Sequence, residues 1–97
     1  MTNITQQKNQ WHVSGDIFMD NANAILSQSD ALLMADAIEI DFSAVTDVDT
    51  AALSLIMEWQ RRAVASNCKV TFANLPANLT SLAELYGVTE FIPISSS

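Results

Sequence analysis

Between Ala37 and Ala65 the spacing of apolar residues changes period once, within a few positions. In AIEIDFSAV, Ile38, Ile40 and Phe42 alternate with Glu39, Asp41 and Ser43, the period of two of a strand with one apolar face. Val45 extends that strand. From Thr50 the period becomes 3.6, that of a helix. A strand that runs straight into a long helix needs a second strand beyond it to complete a crossover. CKVTFAN supplies one, with Val70 and Phe72 on one face.

The same alternation appears upstream and downstream. WHVSGDI reads as a strand with Trp11 and Val13 on one face and His12 and Ser14 on the other, and Gly15 marks a bulge or close backbone approach. Ala22, Ile25, Leu26, Ser29, Leu32 and Leu33 predict a helix over 21–34, with Asp20 or Asn21 able to cap it. LPANLTSLAELYGV predicts another, with Pro76 early, Asn78 as cap and Gly87 as stop. Residues 1–10 read as a frayed end or weak edge strand, EFIPI as a short strand or tail, and the terminal SSS as disordered. The order (β)βαβαβα(β) implies an α/β domain with right-handed crossovers and a mostly parallel sheet of four to five strands with three to four helices. The first two strands are free to pair antiparallel.

With 97 residues, the chain accommodates one domain, 1–97, large enough for a modest core. No apolar run approaches the roughly 20 residues of a membrane span, and MTNITQQKNQ lacks the apolar stretch of a signal peptide, so a cytoplasmic protein is expected. The net charge of −7 rests on four basic residues, too few to neutralise nucleic-acid phosphates or anionic lipid. Nucleic-acid binding and direct membrane insertion are therefore not expected. The acidic balance suits a basic protein partner, or simply solubility.

Placing Thr50 at zero with about 100° per residue divides the long helix. Ala52, Leu53, Ile56, Met57, Trp59, Gln60, Ala63 and Val64 fall on the side expected to pack on the sheet. Thr50, Ser54, Leu55, Glu58, Arg61, Arg62 and Ala65 fall on the side expected to face water or a partner. Leu55 among polar neighbours, with Trp59 at the boundary and Arg62 a turn from each, has the composition of an interface. The alternative is that Trp59 tucks under the sheet edge and Leu55 touches a loop. Asp49 or Thr50 caps this helix, and Asp47 and Asp49 suit its positive end.

Catalysis lacks its parts. Thr50 has no base within the same segment, since the sole histidine is His12 on another strand. No Gly-rich loop with a lysine backs Asp47 and Asp49, so neither a nucleotide nor a metal site is expected, and no cofactor. Cys68 is a single thiol in a strand and reads as filling. The NLT sequon at 78–80 has no secretory route, and the Arg61–Arg62 pair is too short for a nucleic-acid patch.

The segments IDFSAV, TDVDT and AALSLIMEWQRRA, preceded by VSGDI and followed by KVTFANLPANLTSLAELYGV, resemble the STAS domain over a core of about 11–92. That family includes anti-sigma factor antagonists and the regulatory domains of SLC26/SulP-type anion transporters. In antagonists the corner reads Asp-Ser-Ser-Gly, with the first serine phosphorylated. Here the positions are Asp49, Thr50, Ala51 and Ala52. That corner, and LAELYGV, are more similar to the MlaB-like branch, the small STAS subunits of Mla phospholipid-transport ABC complexes. The resemblance implies a non-catalytic subunit that binds and regulates a cytoplasmic ATPase, alongside a permease and a periplasmic lipid-binding subunit. It would sit peripheral to the inner membrane and support outer-membrane lipid asymmetry. It implies contact through Asp47, Asp49 and Thr50, and through Ser54, Leu55, Glu58, Trp59 and Arg62 on the following helix. The other branch implies an anti-sigma factor antagonist in a partner-switching pathway, with Thr50 at the phosphoacceptor position.

Overall fold

The computed structural model describes residues 3–32, 34 and 36–94. Four strands form one sheet in the order β1-β2-β3-β4: β1 (Asn3–Gln7), β2 (Gln10–Ile17), β3 (Ala37–Val48) and β4 (Lys69–Ala73). β1 pairs antiparallel with β2 through a two-residue turn, and the other pairings are parallel. Helix α1 (Ala22–Ser29) joins β2 to β3, and α2 (Ala51–Ala65) joins β3 to β4. After β4 come α3 (Ala77–Leu85) and a 3₁₀ turn, Thr89–Phe91.

Alternation places Trp11, Val13, Ile38, Ile40, Phe42, Val70 and Phe72 in one buried core against the helices. The aromatic rings stack edge to face along it: Trp11 on Trp59 at 5.9 Å, Trp59 on Phe42 at 6.3 Å and Phe42 on Phe72 at 6.1 Å between centroids. Gly15 takes φ +89° where the β2–β3 register shifts, the bulge its position suggested. Gly87, at φ +68°, ends α3 as expected.

Residues 3–7 form an edge strand, one of the two expectations for the first ten residues, with Ile4 buried. Other elements differ from the sequence expectation. Helix α1 stops at Ser29, not at 34, because the chain tightens into three-residue turns through Leu32. There Arg62 of α2 donates to the carbonyls of Ser29 at 2.6 Å and Leu32 at 2.8 Å, taking acceptors a longer helix would use. Leu33 and the terminal SSS lie outside the described residues. Pro76, not Asn78, occupies the cap position of α3. EFIPI, expected as a short strand or tail, supplies the last two residues of the 3₁₀ turn and then touches β4 at a single bridge, Ile94 to Phe72.

Candidate protein-docking site

Asp49 builds the corner between β3 and α2. Its Oδ1 accepts the Ala51 N–H at 2.8 Å, and its backbone carbonyl accepts that of Ala52 at 3.1 Å. Oδ2 accepts the Met19 N–H at 3.0 Å, tying the β2–α1 loop to the start of α2. Asp49 is therefore the side chain that satisfies the first free amide of the helix. Thr50 stands at the formal cap position with helical angles, and its hydroxyl makes no capping hydrogen bond. Asp47, two residues earlier in β3, accepts the Val48 N–H at 2.9 Å and the Asn78 amide at 2.8 Å. Asn78 thus links α3 to this corner.

From the corner, α2 presents a narrow outward strip: Thr50, Ser54 and Glu58. A groove runs along each side. One, of about 330 Å³, lies between α1 and α2, with Leu26, Ala51 and Leu55 inside it and Met19 at its rim. The second, of about 520 Å³, lies between α2 and the segment that follows α3, with Leu53, Met57 and Val88 inside, Tyr86 at the rim and Arg61 also lining it. Thr50, Ser54 and Glu58 border both. Met19 is 75% exposed and Tyr86 59%, so each groove has a large apolar side chain standing in water at its edge.

Two expected contact residues are buried, Leu55 in the lining of the first groove and Trp59 outside both grooves. Leu55 is only 3% exposed and Trp59 is fully buried. Trp59 is tucked in, as its place on the packed side allowed; Leu55 was placed outward on the assumption of a single covering layer, the sheet, whereas α1 packs along the flank of α2 and encloses a second side of it. Trp59 donates its indole N–H to Ser29 Oγ at 2.9 Å, and Ser29 donates onward to the Leu26 carbonyl at 2.6 Å. Arg62 is half-buried and lies 5.6 Å over the Trp11 ring while it holds the end of α1. Its role here is to fasten two helices. Val64, expected on the packed side, is 81% exposed, while Ala63 beside it in the same turn is buried. Leu53 and Ile56 are core, as the wheel had them.

Sequence reasoning missed a second polar cluster, on the opposite face of the sheet. Asp41 is buried there at 8% exposure. It accepts from Asn74 Nδ2 at 2.8 Å, Ser43 Oγ at 2.8 Å and the Ser43 N–H at 3.1 Å, with His12 Nδ1 at 3.3 Å. Burial pushes the Asp41 carboxyl up, but the bonds from Asn74, Ser43 and His12 together hold it below its ordinary value. Alternation placed Asp41 and His12 on one face; only the return of the chain at Asn74 completes the set. Serine, histidine and aspartate meet here without forming a nucleophile: both Ser43 and His12 point at the carboxylate, and no serine–histidine bond exists to activate the hydroxyl. Burial pushes the Cys68 thiol up, opposite to an activated cysteine. Among the described residues no group of three or more His, Cys, Asp or Glu side chains is placed to hold a metal ion. Among them, too, no helix is long and apolar enough to cross a membrane.

A family model described as "Mlab, STAS domain" matches residues 1–93. The chain belongs to the MlaB-like STAS domain family. The match begins ahead of the 11–92 core expected from sequence and takes in β1. No curated protein matches the chain. Among solved structures, an anti-sigma factor antagonist from Mycobacterium paratuberculosis superposes with a TM-score of 0.75 at 19% identity, covering 100% of this chain and 86% of that one. The anti-sigma factor antagonist SpoIIAA in its unphosphorylated form gives 0.72 at 12% identity, covering 100% and 90%. The phosphorylated Bacillus form gives 0.65 at 10%, covering 100% and 93%. These likenesses establish the fold: a single α/β domain with a four-stranded, mostly parallel sheet and three α-helices.

Proposed function

We propose that this chain is the non-catalytic STAS subunit of an Mla-type phospholipid ABC transporter, docking on the cytoplasmic ATPase through the outward strip of α2. The observation that carries this reading is the strip itself. Thr50, Ser54 and Glu58 stand between two grooves whose rims are apolar, beside a corner braced by Asp47 and Asp49. Such a surface has the apolar pockets and polar edge of a protein interface. The family match names the MlaB-like branch, and the corner carries Thr50-Ala51-Ala52 where antagonists carry Ser-Ser-Gly. In this role Leu55 and Trp59 act from beneath, fixing the groove between α1 and α2, and Arg62 holds α1 in place. The subunit is cytoplasmic and reaches the inner membrane through the transporter, which also holds a permease and a periplasmic lipid-binding subunit. It supports outer-membrane lipid asymmetry by regulating turnover of the ATPase. Co-purification with the Mla-type ATPase of the same genome tests this: the wild type retains the ATPase and raises its stability or turnover. A purified chain that itself hydrolysed nucleotide well above a Thr50→Ala control would contradict a non-catalytic role.

A second reading is an anti-sigma factor antagonist, favoured by the likeness to the antagonist structures, one of them a phosphorylated form. It requires phosphate on Thr50 in cells and loss of a partner when phosphate is present. Intact-mass analysis of protein from its native host, with and without phosphatase, separates the two.

A further inference from the structure

The two lysines of this domain stand at one end of the strands, in company with Asp36 and Glu39, and its two arginines lie beside acidic partners, Arg61 at 2.7 Å from Glu58 and Arg62 at 3.8 Å from Asp30. Lys8 lies in the turn before β2, and Lys69 opens β4 opposite Ala37, so both stand at the amino ends of the parallel strands. Arg61 and Arg62 fall near the end of α2, which runs back toward that same end. These four are all the basic residues of the chain. At the carboxyl ends of β2 and β3 the register sets Asp16 opposite Asp47, with Asp20 and Asp49 in the loops that follow. That end therefore carries four aspartates, and the one basic side chain lining either groove, Arg61, is paired with Glu58. The two ends of β3 from Ala37 to Asp47 are on the order of 30 Å apart at about 3.3 Å per residue. The Debye length is about 8 Å at physiological salt, so Lys8 and Lys69 do not cancel these aspartates.

The exposed start of α2, with its two grooves, opens at the acidic end. We infer that the element seated on this face is a basic amphipathic segment of the partner: its apolar side chains enter the two grooves across Thr50 and Ser54, and its Lys or Arg side chains meet the aspartates at the carboxyl ends of the strands. This rests on the docking reading above and adds the chemistry of the occupant and its orientation. Charge complementarity of this kind acts chiefly on the rate of encounter, while the grooves act on the lifetime of the complex. Asp20 is exposed and beside Met19, so it reports the charge; Lys8 reports the far end.

The experiment is surface plasmon resonance against the immobilised Mla-type ATPase of the same genome, at about 50 mM and about 500 mM NaCl, spanning weak and strong screening. Wild type, Asp20→Lys, Lys8→Glu, Met19→Ser and Tyr86→Ser are compared after thermal melts confirm folding. Association of the wild type slows with salt. Asp20→Lys associates roughly tenfold more slowly than wild type at low salt, and the gap closes below about twofold at high salt. Lys8→Glu associates as wild type does to within about twofold. Met19→Ser and Tyr86→Ser dissociate faster at either salt. Salt-independent association, or an Asp20→Lys variant as fast as wild type at low salt, overturns the basic occupant while the ATPase reading stands. Equal slowing by Lys8→Glu overturns the orientation. Unchanged dissociation in both groove variants overturns the seating in the grooves. Absence of wild-type binding at either salt overturns the ATPase reading and this inference with it.

Discussion

The inner and outer sides of α2 are built from the same helix under opposite demands. Inside, Trp59 stacks on Trp11 and Phe42, and its indole nitrogen is bonded to Ser29. Beside it Arg62 closes the end of α1. Outside, Thr50 makes no capping bond and Ser54 is exposed between two open grooves. A helix can thus carry stability on one side and leave the other free for recognition. The boundary between the two is drawn by which neighbouring elements pack against it, not by its own polarity pattern alone.

Truncating the inner side is expected to give the largest effect. Trp59→Ala removes a fully buried aromatic and leaves Ser29 without its donor, and is expected to destabilise by about 3–5 kcal/mol in chemical unfolding. Leu55→Ala follows at about 2–5 kcal/mol. A change under about 0.5 kcal/mol at Leu55 would return it to the outer side and break the division drawn here.

The sheet's far face gives a contrast that is read in acid. Asp41 has its folded-state pKa below the ordinary 3.8, so its stabilisation is fully present above that value and is lost as pH falls through the folded-state pKa. Urea unfolding at a series of pH values from neutral into acid is expected to show an acid limb that Asp41→Asn flattens. An unchanged limb would place the acid sensitivity elsewhere.

At the corner the comparison narrows to adjacent residues. Asp49→Ala removes the bond to Ala51 and the tie to Met19 and is expected to cost about 0.5–2 kcal/mol. Thr50→Ala is expected to stay within about 0.5 kcal/mol of wild type, since its hydroxyl caps nothing. Thermal melts of the pair measured side by side check the assignment, and a reversed order would make Thr50 the cap.

Much of the fold was legible because strands with one apolar face and helices with one apolar stripe leave periods of 2 and 3.6 in the sequence. Ile38, Ile40 and Phe42, Val70 and Phe72, and the core positions Leu53 and Ile56 follow from that alone. Leu55 does not, since its burial depends on α1, which lies elsewhere in the sequence and packs against the flank of α2. The early end of α1 likewise depends on Arg62, about thirty positions away, taking its carbonyls. Asp41 reads as an outward residue by alternation and becomes buried only when Asn74 and His12 close over it. At the docking face, Asp49 and Thr50 announce a helix start, but the grooves are spaces between elements, and no local pattern encodes them.

Ser54 tests the division of α2 most directly. It sits on the ridge between the grooves, exposed, one turn from Thr50. Ser54→Trp fills that ridge with bulk while leaving the inner side untouched. The measurement is affinity for the Mla-type ATPase of the same genome, taken together with the melting temperature. The expected result is a melting temperature within a few degrees of wild type, corresponding to under about 1 kcal/mol, and binding weakened by at least about tenfold, or roughly 1.4 kcal/mol. Wild-type affinity in a folded Ser54→Trp variant would contradict docking through the outer side of α2.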